Sequence, residues 1–202
     1  MVVFKFNTIA LPTTGNFRDR GSKFHAFAFP VSNMDMIKAQ LHSLKKEHPK
    51  AVHHCFAYRL GTDGNVFRVN DDGEPSGSAG KPILGQIDSK KLTDVGIIVT
   101  RYFGGTLLGV PGLINAYKTA AALCLQTTPV VQKPILVKYQ LEFDYNAQNE
   151  VMQILKQCQC QIINAEINLF SMVVVGIPKN RENEVLFRLK EIYTASLKKI
   201  LP

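Results

Sequence analysis

Two prolines within six residues, Pro129 and Pro134, divide this chain of 202 residues. Proline lacks a backbone donor and fixes its own φ, so the stretch Thr127-Thr128-Pro129-Val130-Val131-Gln132-Lys133-Pro134 cannot continue a helix. The hydrophobic pattern changes across it. Leu113–Gln126, rich in alanine, reads as a helix. Beyond the break, Ile135, Val137, Tyr139, Leu141 and Phe143 alternate with polar side chains, the period of two of a half-buried strand. The sequence therefore predicts two α+β domains, over residues 1–127 and 135–202, joined by a linker at 128–134.

The second part has a regular order. A strand at Ile135–Phe143 leads into a helix at Asn146–Gln157, where Val151, Ile154 and Leu155 form one stripe. Strands at Cys160–Leu169 and Ser171–Ile177 follow as a hairpin, then a helix at Arg181–Ile192 and a short strand near Ser196–Ile200. That order, βαββαβ, is the split βαβ pattern of ferredoxin-like domains. In the first part, Lys23–Pro30 reads as a strand with Phe24, Ala26 and Ala28 opposite His25, Phe27 and Phe29. Met34–Lys46 reads as a helix capped by Ser32 or Asn33. His53–Leu60 and Val66–Val69 form a hairpin around Gly61–Asn65. The continuous apolar run Val95–Thr100 suits a strand buried on both faces.

Composition narrows the function classes. Apolar residues make up 46% and charged residues 20%, which excludes wholesale disorder. No apolar run approaches the ~20 residues that cross a bilayer. The first residues lack the pattern of a signal peptide. Cys55, Cys124, Cys158 and Cys160 form no CxxC pair and no zinc spacing, so a reducing cytoplasm is expected. Cys158 and Cys160 would share one face of a strand. The net charge is +8, most of it before Thr127, and a basic surface attracts phosphate-rich partners.

Two loops carry the unusual residues. The first runs from Asn70 through Asp71, Asp72, Gly73, Glu74, Pro75, Ser76, Gly77, Ser78, Ala79 and Gly80 to Lys81 and Pro82. It is far longer than the two to five residues of an ordinary hairpin turn. Its acids suit either a divalent cation or a partner's amides. The helix starting near Ser78–Lys81 would present free N–H groups to an anion. The second loop, Thr100-Arg101-Tyr102-Phe103-Gly104-Gly105-Thr106-Leu107-Leu108-Gly109-Val110-Pro111-Gly112-Leu113, puts four glycines between a buried strand and a helix. Its spacing is neither a Walker loop nor a dinucleotide fingerprint. Arg101 and Tyr102 either grip a phosphate and stack on a base, or the glycines serve packing and Arg101 pairs with Asp71 or Asp72.

Smaller features say less. His48, His53, His54 and Cys55 have a metal-like composition, but the adjacent His53 and His54 point to opposite faces of a strand, so no metal site is expected. Ser76 and Ser78 lack a GxSxG elbow and are not expected to be nucleophiles. Gly21-Ser22-Lys23-Phe24 either binds phosphate through Lys23 or opens a strand.

At these loops the chain resembles the YigZ/Impact family. The family's pattern appears as Ser22-Lys23-Phe24 with Ala26; as His53 with Cys55, Ala57 and Tyr58; as Asp71–Leu84, differing at Ser78; and as Val99–Tyr117. Leu107, Pro111 and Asn115 replace a usual lysine, glycine and arginine, so two positive charges are missing beside the glycine loop. The resemblance implies a first domain like the second domain of a small-subunit ribosomal protein. The second domain is similar to a small domain of elongation factor G. It also implies a role in translation: eukaryotic relatives act in translational control, and bacterial relatives are thought to bind nucleic acid or the ribosome. The resulting expectation is a non-enzymatic, cytoplasmic, translation-linked regulator, without cofactor or membrane attachment. It would bind RNA, the ribosome or a translation-associated protein. Lys23, Arg59, Lys81 and Arg101 would contact phosphates, with Tyr102, Gly104 and Gly105 beside them. Asp71, Asp72, Gly73, Glu74, Pro75, Ser76 and Gly77 would form the signature loop, flanked by His53 and Tyr58. The alternative is a phosphate-ester or nucleotide-acting enzyme using the Asp71–Glu74 carboxylates with a divalent metal.

Overall fold

The computed structural model describes residues 3–200. The chain divides into two compact units. One spans Phe6–Lys133; the other runs from Pro134 onward and includes the residues up to Lys5.

The first unit opens with strand β1 (Lys5–Ile9), followed by the hairpin β2 (Thr13–Asp19) and β3 (Ser22–Pro30). The two turn residues, Arg20 and Gly21, both have positive φ, at 43° and 82°. That is the two-residue geometry whose twist matches paired strands. Helix α1 (Met34–Glu47) starts at Asn33, whose side chain accepts from the Met36 N–H at 3.0 Å. Strands β4 (His53–Leu60) and β5 (Val66–Asn70) form the next hairpin. Then come α2 (Gly80–Ser89), β6 (Val95–Tyr102) and α3 (Gly109–Gln126), and β7 (Val130–Pro134) closes the unit.

Five strands make one antiparallel sheet in the order β2-β3-β6-β4-β5. Along β3 burial alternates: Ser22, Phe24, Ala26 and Ala28 are buried, while Lys23 is exposed and His25, Phe27 and Phe29 are half-buried. The first set faces the core under α2 and α3, with Cys55, Ala57, Ile97 and Val99. On the other face α1 packs over β4 and β6 through Ile37 against Tyr58 and Leu60. Covered on both faces, β6 is buried from Val95 to Arg101, which explains its unbroken apolar run.

Two strands precede Lys23–Pro30, and neither has a strong local signal. Two expectations need correction. The segment expected to be a linker contains β7, which pairs with β1 in a separate two-stranded sheet. Cys158 caps a helix end, so Cys158 and Cys160 do not share one face of a strand.

The second unit runs β8 (Leu136–Asp144), α4 (Gln148–Gln157), β9 (Gln161–Glu166), β10 (Phe170–Pro178), α5 (Glu182–Lys190) and β11 (Ser196–Lys199). A short 3-10 turn precedes each helix. The sheet order is β11-β8-β10-β9. Its buried side chains, led by Leu141, Val173, Val175 and Ile177, pack against Val151, Leu155, Val185 and Leu189 of the helices. Among the described residues, no helix is long and apolar enough to cross a membrane.

Candidate functional site

The two loops meet through side chains from β6, α3 and the Asn70–Ala79 segment. Asp71 ties the first loop to α2. Its Oδ1 accepts from the Ala79 and Gly80 N–H groups at 3.0 and 2.8 Å, and its Oδ2 accepts from Gly77 at 2.9 Å. Burial alone would raise its carboxyl pKa. The backbone donors of Gly77, Gly80 and Ala79, with Lys81 nearby, more than offset this and hold it below the usual range. Asp71 thus serves as the cap that α2 lacks from Ala79. Asp72 faces the neighbouring strand: its Oδ2 accepts from the His54 N–H at 2.6 Å, and its carbonyl lies 2.8 Å from His53 Nδ1. Gly73 and Gly77 both take positive φ, which lets the loop reverse twice.

Glu74 turns inward. Only 8% exposed, it receives Arg101 Nη1 at 2.6 Å and the Tyr117 hydroxyl at 2.7 Å on Oε1, with His53 Nε2 3.8 Å away. Arg101 is 5% exposed. Its guanidinium lies near the rings of Phe24 and Phe103, 5.5 and 5.7 Å from their centroids. Nη2 reaches Ser22 Oγ at 3.4 Å, and Nε has no hydrogen-bond partner among the described residues. Tyr117, fully buried, also accepts from the Cys55 thiol at 3.3 Å. Burial pushes both the phenol and the thiol well above their ordinary ranges. The result is a buried cluster in which one carboxylate joins β6, α3 and the first loop.

The glycine loop packs against the β2–β3 turn. A Cβ on Gly104 would fall on the backbone of Gly21 and Ser22, so only glycine fits there. Its N–H donates to Ser22 Oγ at 3.2 Å. Beyond it Gly105 has positive φ, Phe103 is exposed, and Leu107 is 81% exposed.

The expected phosphate ligands do not gather here. Arg101 is buried and paired with Glu74, not with Asp71 or Asp72, and so is not presented to a ligand. Arg59 lies near the opposite end of β4 from His53, ~20 Å along the strand at about 3.3 Å per residue. It binds Asp88 at 2.7 Å and the Gly64 carbonyl, and lies over Phe67. Tyr58 is a core residue stacked on Phe56. Lys23 and Lys81 remain exposed, and Tyr102 is half-buried with its hydroxyl 2.8 Å from His48 Nδ1. Pro75 and Ser76 are exposed at the loop tip. Among the described residues no group of three or more His, Cys, Asp or Glu is placed to hold a metal ion. Sequence reasoning missed Ser22, Cys55 and Tyr117 as members of the cluster, although all three lie within the quoted motifs.

The model of the Impact N-terminal domain matches residues 20–125. YigZ of Escherichia coli K12 is 32% identical over 190 residues, 93% of each chain. This chain belongs to the IMPACT family. A relative in Bacillus subtilis, YvyE, is 35% identical over 138 residues, 68% of this chain and 64% of that one. A solved structure described as a hypothetical protein aligns over 99% of both chains, with a TM-score of 0.79 and 30% identity. That of the two-domain translational regulator Yih1 covers 63% of this chain and 49% of its own, at 29% identity and a TM-score of 0.36. The matched span of this IMPACT member contains every residue of the Glu74 cluster. It omits β1, β2 and β7.

Proposed function

We propose that this protein is a non-enzymatic, translation-linked binding protein whose partner is RNA, the ribosome or a translation-associated protein. One observation carries the reading. The Glu74–Arg101–Tyr117 cluster fixes two loops whose tips, Pro75–Ser76 and Phe103–Leu107, stay exposed. A rigid, preformed edge lowers the ordering cost of binding. The groups that would otherwise suggest catalysis are engaged inside the protein: both Asp71 oxygens accept backbone amides, and Glu74 is paired. This weighs against the enzyme reading, which needs those carboxylates free for a metal. The family resemblance supplies the link to translation.

We also read the first unit as like the second domain of a small-subunit ribosomal protein and the second as ferredoxin-like. The antiparallel sheet order β11-β8-β10-β9 supports the latter.

Sedimentation of the full chain with purified ribosomes, and separately with total RNA, tests the function. Co-sedimentation that weakens steeply with salt is expected. Failure to sediment with either, together with a rise in Tm on adding nucleotide and Mg²⁺, would favour the enzyme instead.

A further inference from the structure

The glycine-loop rim carries Leu107 and Asn115 where the family pattern has cations. Free positive charge and aromatic rings come together elsewhere, on the outer face of the β2–β3 hairpin.

Three groups of observations define that face. First, Arg18 and Lys23 are paired across the two strands, and Lys23 in turn faces Tyr102 on β6. Both cations are exposed, and among the described residues neither forms an ion pair. Lys46 lies in the last turn of α1, which ends at His48; its neighbour Lys45 is 3.8 Å from Asp72 and is not counted here. Second, a cluster of rings lies next to these charges. The His25 and His48 rings stack at 6.0 Å with planes 20° apart, and Tyr102 stands edge-on to both. Phe27 lies 5.3 Å from His48. All four rings are half-buried, so each keeps part of its surface open. Third, α1 packs mainly over β4 and β6 and meets β3 at its end, where His48 lies against His25 and Phe27. Burial, then the charges of His48, Lys23 and Arg18, lower the His25 pKa.

Cations flanking partly open ring surface, with His25 Nδ1 held 2.6 Å from Asn16 Oδ1, fit a partner that presents phosphates and unstacked bases together. We propose that this face, centred on Arg18, Lys23, His25 and Tyr102, binds single-stranded RNA, the phosphates meeting the two cations and a base meeting the rings. This rests on the RNA form of the proposed function and gives it a location away from the two signature loops. A duplex hides its base faces and cannot use the rings. An acidic protein segment could use the cations but not the ring cluster.

The test is fluorescence anisotropy of the full chain with a labelled oligouridine of about 12 nucleotides, within the range of single-strand platform sites, and with a duplex of equal length. The wild type is expected to prefer the single strand. Arg18→Ala with Lys23→Ala should reduce the salt slope by about 1.4, at about 0.7 per phosphate contact. His25→Ala should weaken binding about tenfold to a hundredfold with the slope unchanged. Lys23→Glu, at an exposed position, gives a charge-reversal readout independent of the ring cluster's packing, and it too should weaken binding. If the wild type binds and all these variants bind equally well, the face is wrong while RNA binding stands. Equal affinity for duplex, with displacement by polyglutamate at matching charge, would replace the RNA platform with a simple polyanion surface. No binding to either RNA by the wild type would overturn both the face and the RNA reading.

Discussion

Truncating Glu74 to alanine removes the one carboxylate that, among the described residues, pairs with the buried Arg101 guanidinium. Arg101, 5% exposed, would keep its charge with a weak contact to Ser22 Oγ at 3.4 Å and no counter-ion. Leaving one member of a buried ion pair uncompensated costs about 3–5 kcal/mol. Tyr117 would also lose its acceptor, a loss of about 1–3 kcal/mol when it occurs alone. The two losses share one atom, Oε1, so they overlap; a total near 4 kcal/mol is expected, not their sum. Arg101→Ala should cost a similar amount. Tyr117→Phe, which keeps the ion pair, should cost about 1–3 kcal/mol. The pair Glu74→Leu with Arg101→Met should recover most of the loss, because apolar replacements of a buried pair are often neutral. Amide hydrogen exchange along β6 is the suitable assay, since it reports the first unit independently of the second. A single-variant loss below about 1 kcal/mol, or a double variant no better than either single, would refute the idea that this pair holds the loops.

Other outcomes follow from the same contacts. Gly104→Ala places a methyl on the Gly21–Ser22 backbone and should destabilise by at least about 1–3 kcal/mol, with exchange rising first in the β2–β3 turn. Because the Asp71 pKa is lower in the folded protein, its stabilising contribution is complete above about pH 4 and is lost as pH falls through the folded value. Asp71→Asn should therefore flatten the acid limb of the unfolding curve, and an unchanged limb would count against the cap. Cys55 and Cys124 are buried, and burial raises both thiols; Cys160, half-buried beside Cys158, is pushed up to about 11. Ellman's reagent at pH 7.5 should label the native chain slowly, at Cys160 first, and all four cysteines after urea. Rapid native labelling of Cys55 would contradict the buried cluster.

The alternating pattern of Lys23–Pro30 and the βαββαβ order of the second unit were legible because both signals are local. The β1–β7 pair was not: its strands lie at opposite ends of the first unit, and β7 contains a proline. Nothing in either segment names its partner. Arg101 shows a different limit. Stepping by two from Val95 through Ile97 and Val99 places it on the core face, but β6 is apolar on both faces and masks that alternation. Its partner was misplaced by a few residues, from Asp71 or Asp72 to Glu74, because the path of the loop decides which acid turns inward. Arg59 was grouped with Lys23 by residue type, although strand direction separates them.

The β1–β7 pair also bears on how the protein can be divided. The Asn7 carbonyl of β1 accepts from the Thr93 N–H beside a parallel bridge between Asn7 and Leu92, while Ala10 donates to the Pro129 carbonyl. Ile9 and Leu92 are both fully or nearly fully buried. A fragment cut to the family-matched span, 20–125, would retain the Glu74 cluster yet expose that apolar seam and leave β3 as an unprotected edge. During synthesis the same seam stays open until Val130–Pro134 leaves the ribosome, so the amino-terminal strand must wait more than 120 residues for its mate.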